Sequence, residues 1–315
     1  MNFKPSAISL QKIKTGLGCS VKTALAGIGQ IYFQPTPLSG AAILLALCLT
    51  RAELAAACLL GVGIASLLAW ACGFSRSLLT SGLYGYNAAL TSAGLCALYQ
   101  PNLALLGWIC AASIATTMLS HAFLRWQRLP ALTLPFVLAM LLAHAVGPVG
   151  GLLAQAKASN AGLQGPLSFL LLALAQVSFI GHAALGVPVL AALALHCRQQ
   201  ALSATAGGLL AWCCLAAGAA MWPDSIITLN TGAIGLNCIL AAQGLAAAGR
   251  AWRWRIGGAL ASLLLCCCAT QLGLAYFTLP FILASWGMLV CSAPRMSPSS
   301  PQPVSERSES AAEVA

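Results

Sequence analysis

The sequence has few charged residues, and acidic residues are its scarcest class. Of its 315 residues 6% are charged and 60% are hydrophobic, and it has only five acidic residues. Soluble domains carry about 25% charged residues, so the composition predicts a membrane protein. Since a membrane-spanning helix needs about 20 apolar residues, we interpret ten apolar runs as spans: 38–50, 53–72, 82–99, 102–122, 130–147, 166–195, 205–222, 229–247, 256–272 and 274–292.

Carboxylates are almost absent from the predicted spans. Between Glu53 and Glu306 the only acidic residue is Asp224, which lies next to Pro223 in a predicted loop. Carriers coupled to protons or sodium usually bind the ion through carboxylates inside the membrane. Cation pathways use acidic rings or backbone carbonyls. The sequence therefore favours passive movement of a neutral solute.

The patterns expected of membrane enzymes and of two other channel classes are also missing. The 14 cysteines are scattered or contiguous rather than spaced as metal ligands, and we interpret them as small packing residues. There is no nucleophile–His–Asp series and no Gly-rich phosphate loop, so we expect no enzyme, no metal and no cofactor. The four histidines form no symmetric pair of the kind ammonium transporters use, and the N-P-A motif of aquaporin-like channels does not occur.

The net charge of +10 fits membrane topology better than nucleic-acid binding. If the N-terminus is cytoplasmic, 13 of the 15 basic residues fall on the inner side, and only Arg51 and Lys157 fall outside. The basic, amphipathic start does not resemble a removable signal peptide. We therefore expect a multi-pass protein of the cell inner membrane with both termini in the cytoplasm.

Three motifs occur twice, in the same order and 145 to 150 residues apart. Such self-similarity indicates a duplicated module. We assign 1–150 to the first repeat, 151–293 to the second, and the Ser-, Pro- and Glu-rich 294–315 to a disordered cytoplasmic tail. Each motif carries an uncharged polar residue at matching positions, and the pairs are Gln30 and Gln176, Asn87 and Asn237, and Thr133 and Thr278.

Each half has five predicted spans. After an odd number of spans the chain has crossed to the other side of the membrane, so the second repeat starts from the opposite side and is inverted relative to the first. The predicted fold is an all-α polytopic membrane protein of about ten transmembrane helices in two inverted repeats of five. Each repeat has a re-entrant half-helix, and the pore lies at the pseudo-two-fold axis. The re-entrant segments are predicted where proline and glycine interrupt the first motif of each half, at Pro35, Pro37 and Gly40 and at Gly181, Gly186 and Pro188.

Buried amides and hydroxyls in lipid need partners or a wet cavity. We predict that the Gln and Thr pairs line a pathway and that the Asn pair joins helices. Phe33 with Tyr86, and Phe179 with Leu236, are candidates for flat apolar walls, although single aromatic residues usually serve packing.

The motifs G-I-G-Q-I-Y-F-Q-P-T-P-L-S-G, G-L-Y-G-Y-N-A-A-L and L-P-A-L-T-L-P-F resemble those of the urea transporter family. The resemblance covers roughly residues 20–292. It implies a homotrimer in the lipid bilayer, with a channel in each protomer through which urea passes down its gradient without a coupled ion. Two alternatives stay open: a channel for other small amides, water or ammonia, and a membrane component that transports nothing.

The resemblance also implies which residues form the pore. One slot would consist of Phe33, Tyr86 and Leu90, and the other of Phe179, Leu236 and Leu240. The oxygen acceptors between the slots would come from Gln30, Gln176, Thr133 and Thr278. The chain departs from the family pattern at Tyr86, where phenylalanine is usual, at Leu236, which makes the second slot less aromatic, and at Gln176, where some bacterial members have glutamate.

Overall fold

The computed structural model describes residues 20–155, 165–221 and 231–292. The predicted loop around Asp224 and the predicted tail lie outside these ranges. Within them the chain is helical, apart from loops and one isolated bridge between Tyr99 and Ala154, which confirms the all-α prediction. The helices are α1 Ser20–Tyr32, α2 Pro37–Thr50, α3 Ala52–Ala71, α4 Arg76–Thr80, α5 Tyr86–Leu98, α6 Leu103–Trp126, α7 Leu134–Val146, α8 Pro166–Gln176, α9 Gly186–His196, α10 Arg198–Met221, α11 Thr231–Ala247, α12 Trp252–Gln271 and α13 Leu279–Cys291.

Helices α1 and α2 are separated by a sharp break, as the prolines predict. They meet at 79°, and Phe33 at the end of α1 has a φ of 58°. Pro37 begins α2, and the side chain of Thr36 accepts a hydrogen bond from the amide of Ser39, which is favourable at a helix N-terminus. The second half has the same break between α8 and α9, where Phe179 has a φ of 62°. The predicted run 166–195 therefore contains two helices instead of one span.

Gly40 and Gly186 do not interrupt the chain, and this part of the prediction was wrong. Both lie in the first turn or two of a helix, Gly40 in α2 and Gly186 in α9. A Cβ atom would lie 1.8 Å from the carbonyl oxygen of Leu25 at position 40 and 2.1 Å from that of Leu171 at position 186. Glycine is needed at both positions because α2 passes directly against the backbone of α1, and α9 against that of α8.

Three of the described helices are individually long and apolar enough to cross a membrane: α3, α6 and α10. The bent pair α1 and α2 passes the same test together. Helices α7, α8, α9, α11 and α13 are apolar but shorter. Every run that we interpret as a span contains a helix, and the count of ten spans stays a prediction.

The loop that follows α7 packs back against the first half. The amide of Gln100 donates to the carbonyl of Leu153 at 2.8 Å, and the amide of Gln155 donates to that of Leu98 at 2.8 Å. The side chain of Gln155 also accepts from Arg51 at 3.0 Å. The first residues of the predicted second repeat thus contact the corner between α5 and α6.

Asn87 holds the start of α7 in place. Its side-chain oxygen accepts from the amide of Phe136 at 3.3 Å, and its side-chain nitrogen donates to the carbonyl of Leu132 at 3.2 Å and to the hydroxyl of Ser120 at 3.1 Å. Leu132 has a φ of 46°, so the chain turns sharply just before the helix begins. One buried amide therefore satisfies both a donor and an acceptor at the N-terminus of α7.

Asn237 makes the matching bonds at the start of α13. Its oxygen accepts from the amide of Phe281 at 3.1 Å, and its nitrogen donates to the carbonyl of Phe277 at 2.9 Å. Phe277 has the same φ of 46° as its counterpart in the first half. The prediction that the asparagines join helices is confirmed.

Candidate functional site

Thr133 and Thr278 meet in the interior of the protein. Each is the residue directly before a helix, α7 or α13, and neither side chain bonds to its own helix. Their Oγ1 atoms lie 2.7 Å apart, and the residues are 4% and 6% exposed. Matching positions of the two T-L-P-F motifs are therefore in direct contact, and the N-termini of two helices point to the same place.

A second pair of matching positions also meets. The hydroxyl of Ser178 donates to the hydroxyl of Tyr32 at 3.2 Å, and these residues are 146 apart, like Gln30 and Gln176. Tyr32 in turn donates to the carbonyl of Leu174 at 2.6 Å. Sequence reasoning missed this contact because tyrosine and serine do not look like a pair, although both lie two residues after the duplicated glutamine.

Three predicted site residues, Gln30, Phe33 and Tyr86, lie in the wall of a cavity of about 280 Å³. The predicted site residues Thr133, Thr278 and Gln176 do not line it, although Leu132, directly before Thr133, does. Its wall is mostly apolar, and two serines missed by the motif search, Ser120 and Ser285, add hydroxyl groups. The duplicated motifs do not contain these serines, so the repeat pattern gave no signal for them. The remaining lining residues are Leu83, Leu124, Pro130, Ala131, Gly244, Ala247, Ala248 and Leu289.

Phe33 is held in the cavity wall by its backbone and by aromatic packing. Its ring lies edge-on to that of Phe281, with centroids 6.1 Å apart. On another side it lies against Gly244 of α11, where a Cβ atom would be 3.3 Å from the ring. Phe33 therefore belongs to the first half but packs on two helices of the second.

Tyr86 and Leu90, the other residues of the first predicted slot, lie in different surroundings. The hydroxyl of Tyr86 donates to the carbonyl of Leu132, so it is directed at the turn before α7. Leu90 is 1% exposed in the apolar core and does not line the described cavity. The structure thus brings Phe33 and Tyr86 together at the cavity and places Leu90 in the core.

Phe179 mirrors Phe33 in the second half. Its ring lies edge-on to Phe136 at 6.1 Å, and a Cβ atom at Gly94 of α5 would lie 2.7 Å from it. Leu236 is half-buried and Leu240 is 1% exposed. None of these three predicted residues lines the described cavity.

The two glutamines differ in their bonds. The side-chain nitrogen of Gln30 donates to the carbonyl of Ser81 at 3.1 Å. The side-chain oxygen of Gln176 is buried and has no hydrogen-bond partner among the described residues. Gly232 makes room for it, because a Cβ atom there would lie 2.0 Å from that oxygen. A buried carbonyl oxygen without a donor is uncommon in a folded protein, where such groups usually bond to protein or to ordered water.

The site is neutral as well as largely apolar. In the described ranges there is one ion pair, Arg51 with Glu53 at 3.9 Å, and Glu53 lies at the start of α3, away from the cavity wall. No group of three or more His, Cys, Asp or Glu residues in these ranges could hold a metal ion. Chemically, the site offers hydroxyl and amide groups between aromatic rings.

Comparison with known protein families gives the context for this geometry. The family described as "Urea transporter" matches residues 21–293, which is most of the chain and includes every predicted site residue. The chain belongs to the urea transporter family, and with its apolar helices it is a membrane protein.

Proposed function

From this membership we propose that the protein is a channel through which urea passes down its gradient, without a coupled ion. The pathway runs between the two halves, past Thr133 and Thr278. The observation that carries the proposal is the contact between these two hydroxyls. A cavity with a neutral and mostly apolar wall reaches Leu132, the residue directly before Thr133.

The threonine pair suits a solute that brings hydrogen-bond donors. A hydroxyl has one donor and two acceptor sites, so a pair that shares one bond keeps more acceptor than donor capacity. Urea has two NH₂ groups that lose their water on entering a narrow path. The hydroxyls of Thr133 and Thr278 and the unpartnered oxygen of Gln176 would replace part of that water.

The aromatic rings suit a flat solute. Phe33 with Phe281, and Phe179 with Phe136, form two edge-on pairs with the same centroid distance. We propose that Phe33, Tyr86 and Leu90 form one slot and that Phe179, Leu236 and Leu240 form the other. In each slot the innermost leucine supports the wall from behind. A slot of this kind admits a planar molecule edge-on and excludes thicker ones.

Electrostatics supports passage of a neutral solute. Two helix N-termini meet at the threonine pair, and their partial positive charge opposes cations. Only Glu53 supplies a carboxylate in the described ranges, so ion coupling would lack its usual ligands.

The arrangement of the halves extends the proposal. We propose ten spans in two inverted repeats, 1–150 and 151–293, with α1 and α8 as re-entrant half-helices. The mirrored breaks, asparagine bonds and aromatic pairs support this arrangement. We further propose a homotrimer in the inner membrane with both termini in the cytoplasm, on the basis of the family resemblance and the distribution of basic residues.

The experiment is stopped-flow light scattering on proteoliposomes under an inward urea gradient with no ion gradient. We expect urea uptake well above that of empty liposomes, unchanged by ionophores that collapse ion gradients. Ala247→Trp, in the cavity wall, should block most of this uptake. Leu67→Trp, on the exposed face of α3, is the matched control and should leave it unchanged.

Either of two results would contradict the proposal. If urea uptake required a proton or sodium gradient, the protein would be an ion-coupled carrier and not a channel. Background uptake by folded protein, followed by rapid uptake of another small amide, water or ammonia in a solute panel, would change the solute instead.

A further inference from the structure

The corner between α11 and α12 carries an uncompensated positive charge. Arg250, Arg253 and Arg255 lie within six residues of each other, interleaved with Trp252 and Trp254. We call these five residues the basic corner. None of its guanidinium groups pairs with a carboxylate in the part of the chain that the structure describes.

Arg255 is the structural member of the basic corner. It is 3% exposed, and its Nε donates to the carbonyl of Arg250 at 2.6 Å, while Nη1 donates to the hydroxyl of Ser203 at 3.2 Å. With its amide oxygen turned toward the guanidinium, Gln199 accepts from Nη2 at 2.6 Å and from Nη1 at 3.1 Å. All these partners are neutral. The guanidinium group of Arg255 therefore has hydrogen-bond partners but no negatively charged partner among the described residues.

Arg250 and Arg253 have bonding capacity left over. Arg250 donates through Nη1 to the carbonyl of Ser292 at 3.3 Å, but its Nε is buried and has no hydrogen-bond partner among the described residues. Arg253 is exposed and lies over the ring of Trp254, with its Cζ 5.5 Å from the ring centroid. An anion at this corner would meet the exposed Arg253 and the partly exposed Arg250, whose carbonyl accepts from the buried Arg255.

An apolar stripe continues from the basic corner along α12. Leu260 and Leu264 are 39% and 63% exposed and lie four residues apart on one face of the helix. Trp252 is 44% exposed and lies two turns earlier, about 80° around the helix axis from Leu260. Trp252 also lies against Arg255, with the guanidinium 4.9 Å from its ring centroid. The charged end and the apolar face therefore join at Trp252.

We propose that the basic corner is a binding site for an anionic phospholipid, such as phosphatidylglycerol. The phosphate would bind between Arg250 and Arg253, and an acyl chain would lie along Leu260 and Leu264. Both parts are needed for this ligand, since positive charge alone attracts any anion and an apolar face alone attracts any lipid. Basic pockets at the ends of membrane helices bind anionic headgroups in this way. The proposal is independent of the urea pathway, and its test measures no transport.

The test is native mass spectrometry of the purified protein titrated with phosphatidylglycerol or phosphatidylcholine. We expect wild-type protein to retain phosphatidylglycerol preferentially. The variant R250Q/R253Q should bind it on the order of 30-fold more weakly, from about 1 kcal/mol for each basic residue. R250K/R253K keeps the charges and should retain most of the binding. Thermal unfolding without lipid shows whether each variant is folded.

The matched control is R125Q/R128Q, which removes two arginines near another tryptophan, since Arg128 lies over Trp126 at 6.0 Å. It should leave phosphatidylglycerol binding within about twofold of wild type. An equal loss in both double variants would reduce the effect to general surface charge and overturn the site. Unchanged binding in folded R250Q/R253Q would also overturn the proposal. The basic corner would then be expected to bind a different group, such as the carboxylates of Glu306, Glu309 and Glu313.

Discussion

The two halves of the chain share the contacts that hold their helices and differ at the residues that we propose for the pore. In each half an asparagine bonds to both sides of a sharp turn, Asn87 before α7 and Asn237 before α13. In each half a phenylalanine with positive φ reaches across to the phenylalanine of the other half's T-L-P-F motif. The halves are therefore interlocked by the same contacts made twice.

The differences lie around the predicted slots. Tyr86 donates a hydrogen bond to the turn before α7, whereas Leu236 at the matching position has no polar group. Gln30 bonds to the carbonyl of Ser81, whereas the oxygen of Gln176 has no partner in the described ranges. Both halves need the same arrangement of helices, so the contacts that hold these helices occur in both. In the proposed channel a solute would meet the two slots one after the other, so their walls could differ.

The asparagines give the largest expected effect. Asn237→Ala should destabilise the protein by on the order of 3 kcal/mol, because the buried amide of Phe281 and the carbonyl of Phe277 lose this partner together. Asn87→Ala should cost somewhat less, on the order of 2 kcal/mol, because the amide of Phe136 loses its acceptor while Tyr86 still donates to the carbonyl of Leu132. Thermal unfolding in detergent measures the loss. Thr80→Ala, at an exposed position, is the control and should change little. If only one of the two substitutions lowered the stability by a small amount, the two asparagines would not have equivalent roles in holding the helices.

The next largest effect is expected from Gly94 and Gly244, which lie against the rings of Phe179 and Phe33. An added methyl group would lie 2.7 Å from Phe179 at Gly94, but 3.1 Å from Phe281 and 3.3 Å from Phe33 at Gly244. Gly94→Ala should therefore displace its ring further and slow urea uptake about tenfold, the equivalent of about 1.4 kcal/mol. Gly244→Ala should slow it about threefold.

Light scattering on proteoliposomes distinguishes these outcomes. Gly63→Ala is the matched control, since nothing lies within 4 Å of a Cβ atom there. A larger effect at Gly244 than at Gly94 would mean that the slot beside the described cavity is the narrower barrier.

Much of this architecture could be predicted because duplication marks it. The breaks near Phe33 and Phe179, the bonds of the asparagines and the threonine pair all fall on repeated motifs. The role of Gly40 was predicted wrongly, because a glycine near two prolines looks like part of a break. Only the fold reveals that the backbone of α1 passes 1.8 Å from where its Cβ would be.

Contacts between unlike residues could not be predicted from the repeat. Tyr32 and Ser178 occupy matching positions and their hydroxyls are hydrogen-bonded, yet the two residue types are different and a search for repeated residues passes over them. Ser120 and Ser285 reach the cavity from α6 and α13, outside every motif. Leu90 lies at a position that both repeats share, but its side chain is buried in the core. A repeated motif predicts where a residue lies in the fold, but it does not predict whether its side chain lines a cavity.

The threonine pair should respond symmetrically. Thr133→Val and Thr278→Val each remove one hydroxyl with little change in volume, and each should slow urea uptake about fivefold by removing a hydrogen bond of about 1 kcal/mol. Thr→Ser at either position keeps the hydroxyl and should retain most of the uptake. Proteoliposome assays at equal protein density measure both. A loss at one position only would place the path on one side of the pair.

Tyr86→Phe should have the smallest effect and tests whether the tyrosine hydroxyl belongs to the slot or to the scaffold. The hydroxyl is directed at the carbonyl of Leu132, which also accepts from Asn87. Its removal therefore leaves that carbonyl satisfied, and we expect a loss of stability of about 1 kcal/mol or less with urea uptake within about twofold of wild type. Leu236→Phe, which adds a ring at the matching position, is the companion variant. If Tyr86→Phe instead changes the preference for urea over N-methylated analogues, the hydroxyl faces the solute, and the difference between the halves determines selectivity.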